Sequence, residues 1–206
     1  GYFFEAHEIL SKIKADADKL NVHNKTIFYV NYITNLVKCK FYKEALHTLE
    51  NEFTIENALY KNMLLYNRLL CYLFLRDTKN LATYITYDLD AAPFPQNYML
   101  KMIKSAYFYL IGEYETALSV INSLLQAKSS SDNMQYYQPV ATIFKRLYTV
   151  SQKNSLQKRW SEKDIKTLQD GILEFEETAP PEFKLVSTYL WIKDEIELNL
   201  IKKHSS

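Results

Sequence analysis

Residues 105–118 read Ser105-Ala106-Tyr107-Phe108-Tyr109-Leu110-Ile111-Gly112-Glu113-Tyr114-Glu115-Thr116-Ala117-Leu118. Small and aromatic residues run up to Gly112, which suits the sharp end of a helix. An acidic residue then opens a second apolar series. The segment is helix, tight turn, helix. It recurs 72 residues earlier, where Phe41-Tyr42-Lys43-Glu44-Ala45-Leu46 aligns with Glu113 to Leu118, and Leu49 and Phe53 align with Ile121 and Leu125. An offset of 72 is two units of 36, so a copy is expected between them. Asp77-Thr78-Lys79-Asn80-Leu81-Ala82 fills that place, with Ala45, Ala82 and Ala117 read as the recurring small residue at spacings of 37 and 35. Such a pair cannot bury its apolar face alone, so successive pairs must stack.

Helical periodicity extends through the rest of the chain. Ile27, Val30, Thr34 and Val37 recur at steps of three and four, as do Met134, Tyr137, Ala141, Phe144, Leu147 and Val150. Ile165, Leu168, Ile172 and Phe175 repeat the pattern, and so do Leu185, Tyr189, Ile192, Ile196 and Leu200. No segment alternates strictly enough to be a strand. Thr54, Asp132 and Ser161 are expected N-caps, and Pro95 and Pro181 suit the first helical position. Breaks are expected at residues 91–95, 129–131, 151–160 and 179–181, giving roughly ten helices in antiparallel pairs.

Composition agrees. The 206 residues hold only 3 Gly and 5 Pro, where average usage gives roughly 14 and 10, but 17 Tyr, 11 Phe and 2 Trp. This excludes collagen-like, disulfide-scaffold and disordered classes and weighs against phosphate-cradling glycine loops. Net charge is +1, which gives no general reason to bind nucleic acid. The most apolar run, residues 63–75, is interrupted by Asn67 and Arg68 and is too short to span a membrane. Cys39 and Cys71 have no metal-ligand spacing; they read as two buried thiols of a reducing compartment or as an unforced disulfide. No basic and apolar leader is visible. The chain starts at Gly1 rather than Met, and a leader or upstream domain is expected in the full-length protein.

The segment 105–118 resembles the tetratricopeptide repeat (TPR) family, with its small residue in the first helix and its Gly-acid-Tyr-x-x-Ala turn. The first unit keeps Tyr42 and Ala45 but has Ile33 for the small residue and Lys40 for the turn glycine. The resemblance is clear over residues 24–127, and 128–206 reads as degenerate helical pairs. It implies one all-α domain over 1–206: an α-solenoid, a right-handed superhelix of about five antiparallel TPR-like pairs. The arrangement also resembles long bacterial TPR-like proteins whose C-terminal portion is built from such repeats.

In the TPR family, positions of each first helix line a concave groove for peptides. Carried over, these are Ile27, Val30, Thr34 and Val37; Leu64, Asn67, Cys71 and Phe74; and Met99, Met102, Ala106 and Tyr109. Val30, Thr34, Val37, Asn67, Cys71, Phe74, Met102 and Tyr109 are the candidate partner-binding residues. The set is unusually apolar, and carboxylate-clamping TPR modules use Lys and Asn where only Asn67 fits. Two readings stand. The residues line an open groove for an apolar or amphipathic segment, or they are core, covered by the chain's own later helices.

Catalytic and metal patterns are weak. Ser11-x-x-Lys14 and Ser131-Asp132-Asn133 imitate two motifs of penicillin-recognising enzymes, but the Lys-Thr-Gly element and the strands are missing. Glu44-x-x-His47 is one motif where a di-iron bundle needs two, and reads as a solvated surface pair. His7, His23 and His204 are isolated. No cofactor, metal or catalytic residue is assigned. Residues 145–166 hold seven bases (Lys145, Arg146, Lys153, Lys158, Arg159, Lys163, Lys166) against Glu162 and Asp164, and residues 170–182 hold five acids (Asp170, Glu174, Glu176, Glu177, Glu182) and no base. With Trp160 in its middle, the basic stretch contacts an acidic surface or RNA, or pairs with the acidic stretch nearby. The tyrosines read mostly as half-buried packing residues. The expectation is a non-catalytic adaptor in the cytoplasm, monomer or dimer, binding a protein or peptide. The alternative is a peptide-sensing domain of a bacterial transcription regulator.

Overall fold

A computed structural model describes residues 2–52, 58–85, 95–127, 134–155 and 160–204. Among these residues there are eleven α-helices and no strand: α1 (Tyr2–Lys14), α2 (Val22–Lys38), α3 (Tyr42–His47), α4 (Ala58–Phe74), α5 (Thr78–Ile85), α6 (Gln96–Leu110), α7 (Tyr114–Gln126), α8 (Met134–Lys153), α9 (Glu162–Thr178), α10 (Pro181–Lys184) and α11 (Ser187–His204). The protein is all-α. Among the described residues, no helix is long and apolar enough to cross a membrane.

Three turns show why the helices end where they do. After α2, Lys40 takes φ +64°; after α4, Arg76 takes +56°; after α6, Gly112 takes +82°. Each turn is closed by the same two bonds. Lys40, Arg76 and Gly112 donate to Val37, Leu73 and Tyr109 carbonyls at 3.1, 3.1 and 3.0 Å, and Phe41, Asp77 and Glu113 donate to Leu36, Tyr72 and Phe108 at 2.9 Å each. This is the Schellman arrangement, which satisfies the last carbonyls of a helix and reverses the chain. The three left-handed residues stand at intervals of 36, so the repeat is strict.

That register corrects one equivalence. The next helix begins with Ala45 N donating to Phe41 O, Leu81 N to Asp77 O and Ala117 N to Glu113 O, all at 3.0 Å. Ala45, Leu81 and Ala117 are fully buried, whereas Ala82 is half-buried. Leu81, not Ala82, is the counterpart of the two alanines. The position demands burial beside the preceding helix, and the middle repeat satisfies it with a larger side chain.

Two compact units divide the chain, residues 1–96 and 97–206. In the first, α2 packs against α1, α3 and α4, and α4 against α3 and α5. Its interior includes Tyr32, Ile33, Leu36, Leu69, Leu70 and Leu73. Asn21 caps α2 by accepting from Asn24 N at 2.9 Å. In the second unit, α8 packs against α7, α9 and α11 around Phe144, Leu147, Tyr148 and Trp191. Ser161 caps α9 as expected, in a reciprocal capping box with Asp164. Pro181 opens α10, as expected. Pro95 lies in the turn one residue ahead of α6 rather than in its first turn. Helix α8 runs on to Lys153, so the break expected from 151 begins at Asn154. Thr54, Asp132 and the breaks at 91–94 and 129–131 lie outside the described residues.

Tyrosine–carboxylate bonds tie helices together in both units. Tyr32 donates to Glu44 (2.7 Å) and Tyr72 to Glu50 (2.9 Å) in the first; Tyr109 donates to Glu195 (3.0 Å) and Tyr189 to Glu176 (2.9 Å) in the second. Burial is the main cause that raises all four phenol pKa values. Each ring packs in the interior while its hydroxyl finds an acceptor on a neighbouring segment.

Candidate functional site

Of the eight residues proposed for partner binding, Val30, Val37, Asn67, Cys71, Met102 and Tyr109 are buried, and Thr34 and Phe74 are half-buried. Their partners are internal. Asn67 Nδ2 on α4 donates to Thr34 Oγ1 on α2 at 2.9 Å, and Thr34 Oγ1 donates to Val30 O at 2.8 Å. Phe74 stacks on Tyr42 at 4.7 Å. In the second unit Tyr109 stacks on Tyr148 at 5.3 Å and donates to the buried Glu195, which also accepts from Asn199 Nδ2 at 3.1 Å. Met102 is wholly enclosed. Thr34 and Asn67 are thus brought together as a helix-to-helix tie, and a ligand would have to displace packing to reach the others. Sequence periodicity marks both kinds of position alike, since a groove-lining face and a covered face carry the same apolar spacing.

Other sequence candidates also turn inward or apart. Cys39 and Cys71 are free and buried. Lys14 pairs with Glu52 at 2.8 Å, and Ser131-Asp132-Asn133 lies outside the described residues. Glu44 accepts from Tyr32, while His47 meets Asn51 at 3.2 Å, so this pair does not act together. In the basic stretch Lys153 binds Asp164 at 3.1 Å and Arg146 lies 3.8 Å from Glu174; Lys158 and Arg159 are outside the described residues.

One open feature of the second unit is a groove of about 420 Å³ between α8 and α9. Gln135, Gln138, Pro139, Thr142, Ile143 and Arg146 line it from one face of α8, and Gly171, Glu174, Phe175 and Thr178 from one face of α9. Lys153 meeting Asp164 and Arg146 meeting Glu174 set the helices antiparallel. Pro139, Ile143 and Phe175 give apolar lining. Pro139 has no amide proton, so the Gln135 carbonyl loses its usual donor four residues on. At the other end the Arg146 guanidinium lies over Gly171, where an added Cβ would collide with it. Its ion-pair neighbour Glu174 is 3.8 Å away, beyond hydrogen-bond range, with a side chain 72% exposed. A second hollow of about 340 Å³ lies between α9 and α11 and contains the Lys193–Glu176 pair, 2.6 Å apart.

Comparison with protein-family models finds no match, and neither curated proteins nor solved structures give one. The chemistry of the site is therefore read from its own groups. Amide side chains, an under-bonded carbonyl and apolar lining suit an extended peptide. A guanidinium at one end suits a carboxylate, which it can hold through two parallel hydrogen bonds.

Proposed function

We propose that this protein is a non-catalytic interaction module that holds a segment of another protein, and that the α8–α9 groove of the second unit receives it. In this reading the helix pairs form an α-solenoid of TPR-like repeats, a right-handed superhelix. The strict interval of 36 between Lys40, Arg76 and Gly112 supports that arrangement. The seat of binding moves from the first helices of the repeats to α8 and α9, because the former are spent on packing. The observation that carries the proposal is Arg146, held over Gly171 at the end of a groove without a hydrogen-bonded carboxylate among the described residues. Two buried free thiols favour a reducing compartment, and we place the protein in the cytoplasm.

The test is selection of a random peptide library against the full chain, followed by titration of enriched peptides. Arg146→Ala is expected to weaken them by about tenfold or more, the scale of a charge-assisted hydrogen bond. Lys145→Ala, at the exposed neighbouring position outside the groove, serves as the control. Peptides that bind parent and Arg146→Ala equally would reject the groove as the binding seat.

A further inference from the structure

Helix α1 contains no buried side chain. It is docked on the first unit by one side. The Phe3 carbonyl accepts from Asn35 Nδ2 at 3.0 Å and Cys39 Sγ at 3.2 Å, His7 meets the Phe41 ring at 5.0 Å, and Lys14 pairs with Glu52. Residues 3, 7 and 14 fall on one side at helical spacing. Another side carries Tyr2, Ala6, Ile9 and Ile13, at steps of four, three and four. That is the a/d seam of a short coiled coil. Tyr2 is 89% exposed, Ile9 59% and Ile13 43%. Glu5 and Lys12 border this seam seven residues apart, at one equivalent heptad position. Both are exposed, and neither has an ion-pair partner among the described residues.

We infer that this seam is a self-association surface, and that its occupant is α1 of a second copy lying antiparallel about a two-fold axis. The pattern is self-complementary only in that direction. Antiparallel pairing sets Tyr2 against Ile13 of the second copy and Ala6 against Ile9, each twice. The small Ala6 beside the axis lets the helices approach closely. In the same register Glu5 faces Lys12 of the second copy, again twice, because equivalent flanking positions meet across an antiparallel seam. Parallel pairing instead sets Glu5 against the opposite flank, which holds Phe3 and Leu10 on the side toward α2. A two-fold axis makes the contact isologous and closed, so it yields a dimer and no filament. Two helices of 13 residues bury less than the roughly 1,200 Å² of a standard stable interface, so the dimer forms with rising concentration.

The test is sedimentation velocity of the full chain from about 1 µM to about 500 µM, a span that resolves weak dimers. The parent is expected to pass from monomer towards dimer, and Ile9→Glu to stay monomeric. Glu5→Lys alone and Lys12→Glu alone each place like charges across the seam and are expected to weaken dimerisation by about tenfold. Mixing those two variants is expected to restore association as a heterodimer, and the double variant to restore the homodimer. All these side chains are exposed, and an unchanged circular dichroism spectrum confirms that folding is intact. A parent that stays monomeric throughout overturns the inference, as does a dimer indifferent to Ile9→Glu. A mixture no stronger than its components overturns the antiparallel register.

Discussion

Two of the three left-handed residues that end α2, α4 and α6 are not glycine: Lys40 and Arg76 carry side chains where φ is +64° and +56°. Such a position costs an L-residue about 1 kcal/mol. Gly112 avoids that cost, and nothing lies within 4 Å of where its Cβ would be. Gly112→Ala should therefore lose about 1 kcal/mol from backbone conformation alone, read as a lower urea midpoint with unchanged slope. The thiols give a second residue-level prediction. Burial pushes the Cys71 pKa up to about 12 and raises that of Cys39, whose Sγ donates to Phe3 O. The thiolate is the reactive form. At pH 8 the folded chain should take up no alkylating reagent, and both thiols should react in denaturant. Rapid labelling of the folded chain would contradict the packing of α2 and α4.

At the scale of the element, the start of α9 depends on Asp164. Its carboxylate accepts from Ser161 Oγ at 2.6 Å, Lys153 Nζ at 3.1 Å and Asn154 Nδ2 at 3.2 Å, and its amide donates to Ser161 Oγ at 3.1 Å. The Ser161 hydrogen bond, then those from Lys153 and Asn154, hold its pKa down to about 2 against partial desolvation. A depressed pKa contributes stability that is present above the unfolded value near 3.9. It is lost as pH falls through about 2. Asp164→Asn should cost roughly 2 kcal/mol at pH 7 and should flatten the acid limb of the stability curve between pH 4 and pH 2. Thermal melts from about pH 7 down to about pH 2 check both. The N-cap was readable from the sequence at Ser161, because capping is local; its reciprocal bond with Asp164 was seen only in the structure. The contributions of Lys153 and Asn154 were not, since they arrive from the end of α8.

For the whole molecule, the division into residues 1–96 and 97–206 carries a prediction about folding. The second unit has its own interior, in which Phe144, Leu147, Tyr148, Phe175 and Ile192 are essentially inaccessible. Residues 97–206 expressed alone should keep a helical spectrum and melt cooperatively. A non-cooperative melt would show that the unit depends on residues 1–96. The two surface proposals belong to this scale too, because each needs a face left uncovered after all other helices have packed.

The helices, the reversal at Gly112 and the 36-residue interval are properties of the sequence. They depend on apolar spacing, on caps and on the φ that a short turn requires, all of which act within a few residues. Which apolar face ends up inside is not such a property. Val30, Cys71, Met102 and Tyr109 share the periodicity of a groove lining, and only the neighbours that cover them show that they are buried. The same holds for Leu81, placed by turn register rather than by size, and for Arg146, whose position depends on Gly171 of another helix. Burial is a sum over long-range contacts, and a local pattern states only that a face must be covered. The tertiary structure decided what covers it, Asn67 on Thr34 and Glu195 on Tyr109, and along the seam of α1 it leaves Tyr2, Ile9 and Ile13 exposed.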